Sequence, residues 1–546
     1  MKALPADGGY AHRMPDETSA DEEVRAAEVV AALSLATDLA IGLPLEHGLQ
    51  SALFASRLCD RLDVGTETAS RTYYACLLFY VGCTAGAENA ADLFGGEAAL
   101  TRFAVPSRFG SQRESLVGIM RALAPPGSAS QPVRAMRIAR TLPRAGMEYR
   151  RLVPAFCEVA QMLSDRLGLH EAVQAQFDHF TERWDGKGDF SHAKRDEIPL
   201  SVRIAHVARD AAFQRMLGGI DFAAKVIHDR AGGAFDPAIA QRLADDAAEI
   251  LALEPGASVW DEVIAREPGT PVTLRGEAID HALAAMGNFA DLGSRYLVGH
   301  SAGVAALATA AGRHCRLDDV DLVTVRRSAF VHDVGRVAVP VLVWHKPAPL
   351  SPDEWEQVRL HAYHSERVLS RSEFLAALAP VATAHHERLD GSGYHRSVGA
   401  AALARPARVL AAADAYHAMT EPRPHREALS PDRAAEALGK EAKAGRLDAD
   451  AVAAVLEVAG QRVPRVERPA GLTEREAEVV GLLARGLQTK QVARTLGISV
   501  KTADRHIQNA YGKIGVSTRA GAALFAMQHG LVEWGELPMG GTHERA

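Results

Sequence analysis

The sequence predicts an all-α protein: two tandem copies of one helical domain, followed by a small module of short helices. Three observations carry this. Ala-, Leu-, Val- and Arg-rich stretches recur at helical spacing almost throughout, and alternating β-branched runs are scarce. Motifs of the front half return in the same order further on. A Pro- and charge-rich stretch over 461–469 then sets off a C-terminal block with its own capping signals.

A chain of 546 residues is too long for one core, and a norm of roughly 150 residues per domain suggests three or four units. Apolar content of 47% with 24% charged residues is that of ordinary soluble protein, which excludes a disordered or fibrous chain. The net charge of -7 leaves no basic footprint over the whole chain, so any nucleic-acid contact must come from a local patch. Five cysteines (Cys59, Cys76, Cys83, Cys157, Cys315) with no CxxC pair argue against a disulfide framework and point to a reducing compartment. The polar start carries no signal-peptide core. The most apolar stretch, 29–45, is broken by Asp38 and Pro44 and falls short of the roughly 20 residues that span a bilayer. The expected location is the cytoplasm, with no membrane contact.

Taken in order, residues 1–24 read as a disordered leader, 25–255 as the first copy, 256–466 as the second, 471–535 as the C-terminal module and 536–546 as a tail. The repeat pairs 46–64 with 299–317, LFYVG (78–82) with VHDVG (331–335), and ERWDGKG (182–188) with ERLDGSG (387–393).

In the second copy His300, His332-Asp333, His361, His385-His386 and Asp414 form an ordered set. Imidazoles with carboxylates favour borderline divalent metals such as iron or manganese, and this many ligands suits two ions. A metal pair can hold a phosphodiester and lower the pKa of a bridging water. The adjacent pairs need an inward helix face or a helix end to aim both side chains at one centre. A lone histidine carries little weight in a chain with 22; the ordered set does.

Residues 275–462 resemble the HD-GYP branch of the HD phosphohydrolases. HDVGRVAVP (332–340) is similar to its HDIGK-x-x-x-P box, KPAPL (346–350) to its KPGPL turn, HHERLDGSGY (385–394) to HHERxDGSGYP, and ADAY (413–416) to its aspartate-bearing helix. The resemblance implies hydrolysis of cyclic di-GMP or a related nucleotide at a di-iron or di-manganese centre. Its ligands would be His300, His332, Asp333, His361, His385, His386 and Asp414, with Asp333 and Arg336 catalytic. Gly393, Tyr394, Arg423 and Arg426 would lie on the substrate side. The departures are Arg336 for the family lysine, His395 for the proline of GYP, His425 for tyrosine, and Tyr296 where some members have a glutamate ligand. The last makes a third metal unexpected. They leave a rival open, a nucleotide- or metal-sensing domain that gates DNA binding without turnover.

The first copy has lost the set. Phe79-Tyr80 replace the His-Asp pair and Phe180-Thr181 the His pair, while Asp210 falls one place out of register with Asp414. His47 and His179 alone make no site, and aromatic bulk in a vacated cavity keeps a core packed. A sensor, dimerisation or structural role is expected, without catalysis.

In the last block Thr473 and Glu476 fit a capping box, Gly486 ends the first helix, Thr489 is placed to cap a second, Gly497 makes the turn and Ser499 caps a third. On that third helix Ala503, Ile507, Ala510, Tyr511 and Ile514 face inward, and Lys501, Thr502, Arg505, Gln508, Asn509 and Lys513 share the outer face. Amides and guanidiniums there suit base edges, and lysines suit phosphates. The block resembles a LuxR-type helix-turn-helix, which implies Lys501, Thr502, Arg505, His506 and Asn509 as DNA contacts and a fourth helix from Thr518 for dimerisation. Asp504 departs from the family pattern. Together these readings describe a regulator that binds promoter DNA as a homodimer on a two-fold site and takes a cyclic dinucleotide as ligand or substrate.

Overall fold

The computed structural model describes residues 22–88, 112–124, 130–188, 192–460, 469–484 and 486–516, with single positions at 91, 519, 522, 525, 526 and 531. The leader up to residue 21, the linker 461–468, the body of the fourth C-terminal helix and the tail lie outside them. In the first copy the elements that matter are strand β1 (Glu23–Arg25) and helices α1 (Ala26–Ile41), α2 (His47–Leu62), α3 (Thr66–Leu77) and α4 (Leu200–His228). The second copy has β2 (Thr273–Arg275), α5 (Glu277–Asp291), α6 (His300–His314), α7 (Asp319–Val331), α8 (His361–Leu369), α9 (Glu373–Ala382) and α10 (Arg405–Thr420). The C-terminal module follows with α11 (Glu474–Ala484), α12 (Thr489–Thr495) and α13 (Val500–Ile514). Among the described residues the fold is all-α apart from the one strand pair.

One local device recurs in both copies. A residue in the left-handed region, Glu46 at φ 72 and Gly299 at φ 84, turns the chain into α2 and α6. A buried carboxylate one helix back then accepts from the second N–H of the new helix: Gly48 N–H to Asp38 at 3.3 Å, and Ser301 N–H to Asp291 at 2.9 Å. The device occupies first-turn donors that have no partner inside the helix, and it sets His47 and His300 at equivalent positions.

β1 and β2 pair antiparallel with Val24 opposite Leu274, the arrangement a local two-fold between the copies produces. The strand begins at Glu23, within the last two residues of the stretch expected to be a leader. Around the pair one apolar core runs through both copies. Val29, Val30 and Leu33 of α1 and Leu53 of α2 join Met286 and Phe289 of α5 with Val331, Val334 and Val368. The short helix Val259–Ala265 lies on the second-copy side of the expected boundary at 255/256, yet Trp260 and Val263 are buried in this shared core. A second core belongs to the second copy alone, built on Val304, Ala308, Val325, Leu410 and Val455. The C-terminal module has its own clusters, including Val479, Leu483, Val492 and Ile507.

Candidate metal centre and nucleic-acid interface

The seven candidate ligands of the second copy meet in one buried cluster. His300 and His361 are the first residues of α6 and α8, Asp414 sits within α10, and both adjacent pairs lie at helix ends. His332 closes α7, and His385-His386 follow α9 in a turn. Neighbours on a helix diverge by about 100°, so leaving the helix is what aims both at one centre.

Asp333 joins two halves. Its Oδ2 faces His332 Nε2 at 3.5 Å and His300 Nε2 at 3.8 Å, while its Oδ1 faces His361 Nε2 at 3.2 Å and His385 Nε2 at 3.4 Å. Asp414 reaches across in the same way, with Oδ1 3.2 Å from His300 Nε2 and Oδ2 3.8 Å from His386 Nδ1. Three of the rings hold their Nδ1 protons on the carbonyl three residues back: His332 on Ala329 at 2.7 Å, His361 on Val358 at 2.5 Å, His385 on Ala382 at 2.6 Å. In the neutral ring each Nε2 then carries a lone pair. Those of His361 and His385 confront each other at 3.2 Å, and the buried Nε2 of His300 and His332 and Oδ1 of Asp333 make no hydrogen bond. Lone pairs and carboxylate oxygens converging without donors fit divalent cations, and the described residues hold three groups able to take a metal: His361-His385-His386, His300-His332-Asp333, and His300-His417-Glu421.

The electrostatics match. Burial pushes the Asp333 carboxyl up, but the Arg336 guanidinium, then His332 and the facing His361 and His385 rings, outweigh it and hold it well below the carboxylate range. Asp414 is held low in the same way, burial being overcome by His300 and His332. Burial, then the neighbouring His385, pushes His386 well down, so it stays neutral. At His300 burial lowers the pKa, but the Asp414 and Glu421 carboxylates beside the ring carry it up to about 9.

Arg336 is held from two sides, by an ion pair to Asp333 Oδ2 and by the Trp344 ring 4.1 Å from its guanidinium carbon. Tyr394 lies over His386 with ring centres 4.2 Å apart, and its backbone carbonyl takes Arg359 at 3.1 Å. Gly393 packs so tightly that a Cβ would stand 2.5 Å from Glu387 Cα. Arg423 bonds the Tyr296 carbonyl and Glu421 Oε2, the latter at 2.9 Å. Arg426 donates to the carbonyls of Ala418, Met419, Glu421 and Glu427, closing the end of α10. His417 and Glu421 escaped the sequence reading although they follow Asp414 by three and seven positions, a helical spacing that puts all three on one side of α10. Glu421 Oε2 lies 2.9 Å and His417 Nδ1 3.2 Å from His300 Nδ1.

In the first copy Phe79 and Phe180 stack at 4.5 Å in the place of the histidines. Arg209, tenth residue of α4 as Asp414 is of α10, lays its guanidinium 4.4 Å from the Phe79 centroid. A fixed cation thus stands where the second copy gathers carboxylates. Burial, then Arg209, holds His47 at about 3, and the same two causes hold His206 at about 3.

In the C-terminal module the Thr473–Glu476 capping box forms, with Thr473 N–H donating to Glu476 at 2.8 Å. Ser499 caps α13 through Thr502 N–H at 3.1 Å, and its Oγ lies 2.7 Å from that of Thr502. Thr489 does not cap α12 as expected. Gln488 does, because Gln491 reaches back to its N–H at 2.7 Å and makes Thr489 the first helical residue. Gly486 and Gly497 take φ of 86 and 64, which glycine adopts without strain. Ala503, Ile507 and Ala510 are buried, whereas Lys501, Thr502, Asp504, Arg505, Gln508 and Asn509 form an exposed row with His506 half-buried beside it. Lys513 turns back to Glu476 at 2.6 Å and to the Gly471 carbonyl at 3.0 Å.

Comparison with known proteins agrees with this division. The model of the HD domain matches residues 285–451, and that of bacterial regulatory proteins of the luxR family matches 470–526. The chain is 27% identical over 414 residues to the 3′3′-cGAMP-specific phosphodiesterase 3 of Vibrio cholerae, covering 74% of this chain and 89% of that one. It is 35% identical over 120 residues to the cyclic di-GMP phosphodiesterase response regulator RpfG of Xanthomonas campestris, 22% of this chain and 32% of that one. A crystal structure of a cyclic GMP-AMP specific phosphodiesterase of V. cholerae superposes with a TM-score of 0.55 at 22% identity, over 81% of this chain and 99% of that one. That likeness is one of fold alone. Among the described residues no helix is long and apolar enough to cross a membrane.

Proposed function

We propose, for a chain that joins an HD domain to a luxR-family regulatory domain, that it is a DNA-binding regulator whose HD domain hydrolyses a 3′,3′-linked cyclic purine dinucleotide, cyclic di-GMP or its GMP-AMP relative. The observation that carries this reading is the bridging position of Asp333, which gives each half of the seven-ligand cluster one carboxylate oxygen. His300, His332 and Asp414 would hold one ion with Asp333 Oδ2; His361, His385 and His386 would hold the other with Oδ1. Iron or manganese suits this mixture of imidazole and carboxylate. When bound, the ions supply an activated water and neutralise charge on the scissile phosphodiester. The chain's own groups do the rest. Arg336, clamped between Asp333 and Trp344, is a preset cation for a phosphate oxygen, and Tyr394 over His386 closes one wall. The exposed row of α13 would read base edges, with a homodimer meeting a two-fold site.

A second reading rests on Arg336 itself: its guanidinium already engages the Asp333 oxygen turned toward His300 and His332. On that reading the site senses nucleotide or metal and gates DNA binding without turnover. One experiment separates the two. The reduced protein is loaded with Mn²⁺ and incubated with cyclic di-GMP and with 3′,3′-cGAMP, beside Asp333→Ala. Linear dinucleotide from the wild type alone is expected. Absence of product, with nucleotide still altering DNA affinity in a fluorescence anisotropy titration, would leave the sensor in its place.

A further inference from the structure

The histidines of the centre are oriented by two different means. His332, His361 and His385 each lock Nδ1 on a carbonyl of their own chain segment, three residues back. His300 has no such partner. As first residue of α6 it spends the Leu297 carbonyl on its own backbone N–H at 2.8 Å, and its Nδ1 faces the Glu421 carboxylate at 2.9 Å.

We propose that Glu421 is a positioning residue for the metal centre: it takes the Nδ1 proton of His300 and so aims Nε2 at the ion shared with His332, Asp333 and Asp414. This rests on the metal-centre reading above. The rest of the neighbourhood is built for the contact. Glu421 caps the end of α10, half-buried, and Arg423 donates to the same Oε2 at 2.9 Å. The carboxylate is thereby pinned by a cation on the side away from the ring. Gly303, one turn along α6 from His300, leaves the gap through which the α10 end approaches, since a Cβ there would stand 2.0 Å from His417 Nε2. His417 closes the third side, with Nδ1 3.4 Å from Glu421 Oε1. A carboxylate is a stronger acceptor than a backbone carbonyl, so it makes the ring it serves a better donor to metal. His386 has no carbonyl lock either, but its Nδ1 faces the candidate ligand Asp414 at 3.8 Å; at His300 the Nδ1 partner is a carboxylate outside the seven, at 2.9 Å.

The same three side chains could instead hold an ion of their own. That use of His300 Nδ1 competes with the proton it donates to Glu421. With Nε2 turned to the main centre, a second metal on Nδ1 would require a fully deprotonated ring, and the proton is the simpler occupant.

The test uses the full chain, Glu421→Gln, Glu421→Ala and His417→Ala, titrated with Mn²⁺ by calorimetry, with bound metal counted by elemental analysis and apo melting recorded alongside. Glu421→Ala is expected to weaken Mn²⁺ binding roughly 10–100-fold at unchanged stoichiometry. Glu421→Gln, which keeps volume and an acceptor oxygen, should fall between it and the wild type with unaltered apo melting; His417→Ala, which removes only a neighbour of the other Glu421 oxygen, should weaken binding less than Glu421→Ala and keep the wild-type number of ions. Wild-type affinity in both Glu421 variants overturns the proposal and leaves the metal reading standing. The loss of one ion per chain in Glu421→Ala overturns it in favour of direct ligation. A wild type that takes up no Mn²⁺ overturns the metal reading along with it.

Discussion

Each oxygen of Asp333 serves different histidines, so removing the carboxylate should disable both halves of the centre at once. Asp333→Ala is expected to hold less than one ion per chain by elemental analysis, and retention of two would contradict the bridging role. His300 adds a pH dependence with a defined sign. Its pKa is about 9 without metal, so near neutral pH a proton must leave before the ring can ligate. Mn²⁺ affinity should therefore rise about tenfold per pH unit from 6.5 toward 9 and flatten above, since metal competes with that proton. Equal affinity at pH 6.5 and 8.5 would contradict the raised value. The first copy gives a third test. Phe79→His with Tyr80→Asp should restore no metal uptake, because Arg209 keeps its cation over the site; adding Arg209→Asp removes that obstacle, and uptake by the double variant alone would show that the guanidinium is no barrier.

Short helices depend on their ends, and in the C-terminal module the ends decide how the reading face is presented. Ser499→Ala should cost about 0.5–2 kcal/mol of module stability through the lost bond to Thr502 N–H, read as a lowered midpoint of denaturation. Arg505 stands in the exposed row of α13, so Arg505→Ala should weaken specific DNA binding by about 1–3 kcal/mol while leaving that midpoint in place. Lys513 should behave in the opposite way. It sits on the outer face by spacing, yet it bonds Glu476 and the Gly471 carbonyl, so Lys513→Ala should move stability more than DNA affinity.

The tandem copies share one core, which makes the ligand-free copy part of the scaffold of the other. α1 is buried almost along its whole length, and its Val30 and Leu33 lie in the same cluster as Val334 beside Asp333 and Val368 of α8, the helix that opens on His361. Leu33→Ala should cost about 2–5 kcal/mol and should weaken metal binding although it touches no ligand. Undiminished metal affinity at that loss of stability would show that the two copies are mechanically separate.

Composition and periodicity were enough for an all-α chain, because helical spacing is a local property. The ordered His/Asp set and the paired ERxDGxG motifs likewise made the seven-residue cluster and its absence from the first copy legible, since residue types at matching offsets need no coordinates. Three things were decided only by packing. Glu421 and His417 gain their meaning from the gap at Gly303, which brings α10 against α6; Lys513 turns out of the exposed row of α13 because Glu476 lies across from it; and Trp260 and Val263 pack with the first copy because both copies bury their apolar faces in one core. Spacing along the chain tells which residues share a face. What that face meets is settled by long-range contact, and that is where the charge of Glu421 and the orientation of His300 were fixed together.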